Sequence, residues 1–216
     1  MTVSHALITF IAAAGLLTIT PGLDTALVLR TAAVSGPRRA MAASIGVCLG
    51  LLTWGCIVSF GLGALLAASQ FAYNVLRIAG ACYLVFLGFK IYFRSGSPLS
   101  VATADPDGGA ISTWKENSSR WFLRGLFTNL LNPKVGVFYV TFLPLFIPAG
   151  VNAARFSLLL ASIHATEGIL WFIVLVMATR SLSAFLATPK IARALNRATG
   201  AIFIGFGAKL LFDKAR

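Results

Sequence analysis

Residues 130–138 read LLNPKVGVF and lie inside an otherwise almost entirely apolar run over residues 121–147. In a soluble protein the Asn-Pro-Lys triplet would indicate a turn. Here the run exceeds the roughly 20 apolar residues that cross a bilayer as a helix. A proline at its centre removes a backbone donor and displaces the carbonyl of Asn129. The stretch therefore predicts a membrane-spanning helix that is broken at Pro133.

The composition of the whole chain indicates a multi-pass membrane protein. Of its 216 residues, 58% are hydrophobic and 11% are charged, which is too little charge to cover the surface of a soluble domain. The net charge of +12 is not interpreted as nucleic-acid binding, because the basic residues lie in short connections between apolar runs. That distribution is the one that the positive-inside rule describes. We expect the lipid bilayer, and no nucleic acid, as a partner.

Six apolar spans follow one another, and continuous apolarity favours helices over a barrel. We therefore predict an all-α membrane fold, with spans over residues 3–29, 40–68, 71–92, 121–147, 156–178 and 195–212. A polar segment over residues 95–119 contains Ser-Gly-Ser-Pro and Asp-Pro-Asp-Gly-Gly, which are typical of a flexible loop. It separates residues 1–94 from residues 120–216, and each of these parts is expected to hold three helices of one membrane domain.

The two halves of the chain resemble each other. Thr20-Pro21 follows Phe10 by the same distance as Asn132-Pro133 follows Phe122. A three-span unit that is repeated once inserts the second time in the opposite orientation, a construction common in secondary transporters. We predict two inverted three-helix repeats, in which the first and fourth spans are broken at Pro21-Gly22 and at Pro133. Chance similarity among apolar helices is the alternative.

The basic residues predict the orientation. They concentrate in the first, third and fifth connections, which we assign to the cytoplasm, so that both termini lie outside. The residues in question are Arg30, Arg38, Arg39, Arg94, Lys115, Arg120, Arg180, Lys190, Arg193 and Arg197, with Arg155, Lys214 and Arg216 on the opposite side.

Several charged residues lie within the spans, and we single out Asp24 beside the first break, Lys134 beside the second and Glu167 near the centre of the fifth span. An isolated charge at the middle of a bilayer costs about 2.5–3.5 kcal/mol or more, so these groups are expected to be paired or hydrated. We predict that they line a substrate or proton pathway, with a structural ion pair as the alternative. His164 shares a helix face with Glu167. Such a pair in a wet cavity exchanges protons near neutral pH, although packing is an alternative role for the histidine.

Both breaks also leave polar groups that need partners. Pro21 frees the carbonyl of Leu17, as Pro133 frees that of Asn129, and hydrocarbon supplies no hydrogen bond. The amides of Asn129 and Asn132 are expected to flank the second break, where they hold a charged group of a substrate or cap the broken helix. The sequence has no Cys-x-x-Cys and no cluster of ligands at metal spacing, so neither a metal nor a cofactor is expected.

Four segments carry a resemblance to a known family. Residues 20–30 read TPGLDTALVLR, residues 36–40 GPRRA, residues 79–88 AGACYLVFLG and residues 129–134 NLLNPK. In this order and spacing they resemble the LysE/RhtB family of amino-acid exporters over nearly the whole chain. Where that family often has proline after the first glycine, this chain has Leu23.

The resemblance implies a bacterial inner-membrane exporter of amino acids or related small zwitterions, driven by the proton gradient, and not an enzyme. We expect alternating access around the two breaks, with protons and an amino acid as partners. The glycines of the second span, Gly46, Gly50 and Gly55, predict close helix packing and permit a homodimer. An ion or metal exporter is one alternative, and an intramembrane enzyme that uses Ser162 and His164 is another.

Overall fold

The computed structural model describes residues 2–68, 70–93, 118–178 and 188–212, and these ranges contain helices joined by short connections and no strand. The prediction of an all-α fold is therefore confirmed for this part of the chain. Residues 94–117 lie outside the described ranges, and so does most of the predicted loop over residues 95–119. The same holds for five basic residues used to predict the orientation, namely Arg94, Lys115, Arg180, Lys214 and Arg216.

The first half of the chain forms four helices: α1 (Val3–Ile19), α2 (Leu23–Ser35), α3 (Pro37–Ala68) and α4 (Gln70–Tyr92). The predicted break is present, because α1 and α2 meet at an angle of 50°. Gly36 separates α2 from α3 with a φ of 90°, a conformation that glycine adopts without steric cost. Pro37 then begins α3, where its missing N–H costs nothing.

The second half begins with α5 (Ser118–Leu130), which ends immediately before the second break. The helix α6 (Pro133–Val137) continues through a π-helical turn, Phe138–Phe142, and a 3₁₀ turn, Leu143–Phe146. Two long helices follow, α7 (Ala153–Met177) and α8 (Pro189–Phe212). Asn132 and Asn152 cap α6 and α7, each accepting a backbone N–H from the first turn.

Helix α3 lies at the centre of the packing and contacts both α5 and α7, while α4 packs along α8 and α1 packs against α7. The close approach predicted for the glycines of α3 is confirmed. A Cβ on Gly46 would overlap the backbone of Phe122, and one on Gly55 would overlap the side chain of Ala161. The seams of α3 are therefore too narrow for side chains at these glycines.

Within the described ranges, two helical segments are long and apolar enough to cross a membrane, Pro37–Gly61 and Ala153–Met177. The bent pair α1–α2 gives a third span, and Ala81–Tyr92 and Pro133–Phe146 are shorter apolar helices. Helix α8 has the length but carries Lys190, Arg193 and Arg197 in its first half. All six predicted spans are thus helical, but a count of six crossings and the inverted repeat stay predictions.

Candidate functional site

The first break exposes the end of α1 to a lysine from the other half of the chain. Helix α1 ends before Pro21, and the Nζ of Lys134 donates to the carbonyl oxygens of Leu17, at 3.0 Å, and Thr20, at 3.2 Å. The carbonyl that proline frees in α1 thus has a partner, as the sequence predicted it must. A cation at this position also faces the negative end of the α1 dipole.

The second break satisfies its own backbone locally. The N–H of Asn132 donates to the freed carbonyl of Asn129 at 3.0 Å. The side chain of Asn132 then accepts the N–H of Lys134 at 3.1 Å and caps α6. No charged group is needed to close this break, so the amide nitrogens of both asparagines remain available to a partner.

That partner is Asp24, in the first turn of α2. Its Oδ2 accepts hydrogen bonds from the Nδ2 of Asn129 at 2.9 Å and from the Nδ2 of Asn132 at 3.3 Å. Its Oδ1 is buried and has no hydrogen bond to any described residue. The position suits an anion, because the N-terminal end of a helix dipole is positive. One oxygen is thus held by the second break, and the other is available for a further donor.

The two breaks therefore hold each other's charges. Lys134, from the second break, is bound by carbonyls of the first, and Asp24, from the first break, is bound by amides of the second. The hydrogen bonds of these two residues are made to neutral groups. In the described ranges, the ammonium and the carboxylate are not joined by a direct hydrogen bond. This crossed arrangement supplies hydrogen bonds to both charges in the interior.

A cavity of about 40 Å³ lies between these charges. Because a cavity needs roughly 10–15 Å³ to hold a water molecule, it has room for a few waters. Typical ligand pockets enclose about 300–1,000 Å³, so an amino acid needs a more open conformation. The cavity lining includes Asp24, Lys134, Asn132 and His164, and its apolar part includes Leu17, Val47, Leu51, Val135 and Phe172.

His164 lies on α7 at the wall of this cavity and is 3% exposed. Its Nδ1 lies 3.2 Å from the hydroxyl of Tyr139, and the two rings stack. The rings of Phe10 and Phe138 contact the imidazole edge-on. The histidine that the sequence placed in a pair with Glu167 thus has its hydrogen bond to a tyrosine of the π-helical turn instead.

Glu167 is half-buried and lies against α1 rather than in the cavity lining. A Cβ on Gly15 would lie 3.9 Å from its Oε1, while its Oε2 is buried without a hydrogen bond to the described chain. The proton exchange between His164 and Glu167 stays a prediction, and the structure gives the two side chains different neighbours. Of the six predicted pathway residues, Asp24, Lys134, Asn132 and His164 line one cavity. Asn129 and Glu167 are not part of that lining; Asn129 donates a hydrogen bond to Asp24.

Sequence reasoning missed two contributors to the site. One is Tyr139, which is fully buried; a lone phenol five residues after Lys134 in an apolar run was the signal available for it. The other is Thr199 of α8, whose buried hydroxyl bonds that of Thr20 at the first break. Nothing in the local sequence of α8 indicates that contact, because it depends on how the helices pack.

The alternatives from the sequence find no support in the side-chain positions. Ser162 is exposed and donates to the carbonyl of Leu158, whereas His164 is buried, so the two side chains do not meet. Among the described residues, no group of three or more His, Cys, Asp or Glu is placed to hold a metal ion.

Fold and site define an integral membrane protein of apolar helices with a polar centre built from two helix breaks. The model of the LysE type translocator family matches residues 16–214, and the chain belongs to that family. It is 31% identical over 209 residues to the uncharacterized membrane protein YrhP of Bacillus subtilis (strain 168), and the match covers 95% of this chain and 98% of the relative.

Other relatives carry names that state a function. The threonine efflux protein of Salmonella typhi is 28% identical over 205 residues, or 91% of this chain and 92% of the relative. The leucine efflux protein of Enterobacter sp. (strain 638) is 30% identical over 204 residues, or 94% and 93%. No solved structure matches the chain. Both of these relatives are named as efflux proteins for an amino acid.

Proposed function

We propose that this protein exports an amino acid or a related small zwitterion across the bacterial inner membrane in exchange for protons, by alternating access. The observation that carries the proposal is the crossed binding of Lys134 and Asp24 between the two helix breaks. It provides one cation and one carboxylate around a single cavity, and a zwitterion carries the two complementary charges. The efflux proteins among the relatives support this class of substrate.

Substrate binding replaces protein contacts with substrate contacts. The carboxylate of the amino acid takes the Nζ of Lys134 in place of the carbonyls of Leu17 and Thr20. Its ammonium group donates to Asp24, whose Oδ1 is free of other described donors. Charge-assisted hydrogen bonds are the stronger kind, so these exchanges favour a bound zwitterion over a neutral solute of the same size.

Closure of the site fits an alternating-access cycle. The cavity of about 40 Å³ excludes an amino acid, so the structure corresponds to a closed conformation between the inward-open and outward-open forms. Movement of one half against the other opens the cavity to one side at a time. The contacts of α3 with α7 and of α4 with α8 support the proposal of two related halves, because an inverted repeat would bring equivalent helices together at its two-fold axis. Asp24 or Glu167 carries the coupling proton.

The proposed orientation follows the positive-inside rule. The start of α3, with Arg38 and Arg39 in its first turn, is placed at the cytoplasmic side, as are the third and fifth connections. Both termini then lie outside. The glycine faces permit a homodimer, which the transport mechanism does not require.

Efflux from reconstituted vesicles tests the proposal. Vesicles are preloaded with one labelled amino acid from a panel that includes threonine, homoserine, leucine and lysine, and acid is added outside. The wild type should release at least one of them faster under the pH gradient. Lys134→Ala should slow this release by about 10- to 150-fold, because a hydrogen bond to a charged group contributes about 1.5–3 kcal/mol.

The matched control is Lys90→Ala, which removes an exposed lysine near the end of α4 and should transport normally. Size-exclusion chromatography establishes that each variant is folded. Normal coupled efflux by folded Lys134→Ala protein would refute the site. Release of none of the panel by the wild type would refute this choice of substrates.

A further inference from the structure

Three buried polar side chains lie on α7 or in the π-helical turn, and the proposed substrate contacts use none of them. They are His164, at the cavity wall, Tyr139, in the π-helical turn, and Ser157, on the first turns of α7. Each is at most 3% exposed. Polar groups buried in an apolar bundle cost free energy, and such residues usually mark a functional site. π-Helical turns are also frequent at functional sites.

The histidine and the tyrosine form a continuous connection. The Nδ1 of His164 lies 3.2 Å from the hydroxyl of Tyr139. The other ring nitrogen, Nε2, makes no hydrogen bond with the described residues, and the side chain lines the same cavity as Asp24. A neutral imidazole accepts a proton on one nitrogen and releases another from its second nitrogen. His164 thus joins the cavity to the phenol behind it.

Ser157 lies on the same helix, nearer to the connection before α7. It lies seven residues before His164, which is two helical turns on the same face, or about 10 Å along the axis. Its hydroxyl is buried and has no hydrogen bond to a described group. By contrast, the exposed Ser162 and Thr166 donate to carbonyls of their own helix, both at 2.8 Å. Of these three hydroxyls on α7, that of Ser157 is the one still available for a hydrogen bond.

We propose that Tyr139 and His164 form a proton relay between the outer side of the membrane and Asp24. The inference rests on the proposed function, in which protons move inward as the substrate leaves. A proton arriving from the Ser157 side is taken by the oxygen of Tyr139 as the phenol passes its own proton to Nδ1 of His164. Nε2 then gives a proton to the carboxylate of Asp24. One proton enters and one proton leaves. Both groups are back in their starting state once the new O–H of the phenol points toward Nδ1 and the imidazole again carries its proton on Nε2.

Other titratable groups near His164 are less suited to this step. Glu167 lies one turn further along α7, but its carboxylate faces α1 at Gly15. Lys134 lines the cavity, but its ammonium donates to two carbonyls. Cys48 of α3 lies against Gly168 of α7. The groups around the imidazole are thus Asp24 of α2, Cys48 of α3, Lys134 of α6, Tyr139 of the π-helical turn and Glu167 of α7, while α1 presents the ring of Phe10.

The test separates proton movement from substrate movement. Tyr139→Phe removes the hydroxyl and keeps the ring. Two reactions are measured in the same vesicles: efflux driven by a pH gradient, and counterflow, in which labelled and unlabelled substrate exchange with no net proton movement. The rate of driven efflux by the variant should fall about tenfold or more. That is less than the roughly 100- to 10,000-fold that a positioned proton-transfer group contributes to a rate. Its counterflow should stay within about twofold of the wild type, because substrate contacts are unchanged.

The matched control is Tyr92→Phe, which removes a hydroxyl from an exposed tyrosine of α4. It should leave both reactions unchanged. If Tyr139→Phe retained its driven efflux, the relay would be wrong. If driven efflux and counterflow fell together, Tyr139 would serve folding or substrate binding, which also overturns the relay. Failure of the wild type in both reactions would instead refute the proposed transport function.

Discussion

Gly50→Ala tests the packing that positions the carboxylate site. Gly50 lies on α3, where a Cβ would be 2.5 Å from the Oδ1 of Asn129 and 2.8 Å from its Cβ. The Cβ of Asn129 is fixed to the backbone of α5, so rotation of the side chain cannot relieve the overlap. The two helices must separate, or Asn129 must move. Either change strains the 2.9 Å hydrogen bond from Asn129 to Asp24.

The size of the effect follows from three contributions. Overpacking of a tight interior costs about 1–3 kcal/mol. Loss of a hydrogen bond to a charged group costs about 1.5–3 kcal/mol. Alanine in place of glycine in a helix returns about 1 kcal/mol. The net loss is about 1.5–5 kcal/mol, and since about 1 kcal/mol shifts Tm by about 2–4 °C at this chain length, Gly50→Ala should melt about 3–20 °C below the wild type.

The matched control is Gly61→Ala in the same helix, where a Cβ would meet no atom of the described residues within 4 Å. It should keep or slightly raise Tm, because only the helix preference of alanine remains. Tryptophan fluorescence of the detergent-solubilised protein reports both transitions, since the chain has four tryptophans. A Tm for Gly50→Ala equal to or above that of Gly61→Ala would show that α3 and α5 are not packed as described.

Two further sets of variants test other seams by the same melting assay. Gly200→Ala should lower Tm, because its Cβ would lie 2.6 Å from the carbonyl oxygen of Gly88 on α4. Gly205→Ala should not, because its Cβ would meet no described atom within 4 Å. Equal Tm values for the two variants would show that α8 does not pack on α4 as described. Thr20→Val should cost about 1–3 kcal/mol, because it leaves the buried Thr199 hydroxyl unpaired, and the double variant with Thr199→Val should cost less than the sum of the two single changes. Strict additivity would show that the two hydroxyls do not interact.

Much of the fold could be predicted because apolar length and proline position act locally. Helix α3 begins at Pro37, three residues before the predicted start, because a helix continues beyond the apolar run into its polar flank. The π-helical and 3₁₀ turns over residues 138–146 were not predicted. Pro144 indicates an irregularity there, but an apolar run by itself does not distinguish one helical hydrogen-bonding pattern from another.

The members of the site could be predicted better than their contacts. A charge inside an apolar span is conspicuous in any sequence, so Asp24, Lys134 and Glu167 were found from their positions in the spans. Which group meets which depends on the rotation and depth of each helix. The spacing of His164 and Glu167 correctly places them one turn apart, yet the hydrogen bond of the histidine comes from Tyr139 on another element. Periodicity describes one helix and carries no information about its neighbours.

The crossed arrangement of the two breaks also bears on how tightly a substrate is held. When a zwitterion binds under the proposed mechanism, its carboxylate displaces the hydrogen bonds that the ammonium of Lys134 already makes with the chain, while its own ammonium group takes the free Oδ1 of Asp24. Binding therefore exchanges one set of charge-assisted contacts for another, and only the difference appears as affinity. A transport site must release its substrate as readily as it takes it up, as conduction sites also must. When the substrate leaves, the carbonyls of Leu17 and Thr20 take back the ammonium of Lys134, and the two asparagines still hold the carboxylate of Asp24. The empty site can therefore change sides without carrying unpaired charges through the membrane.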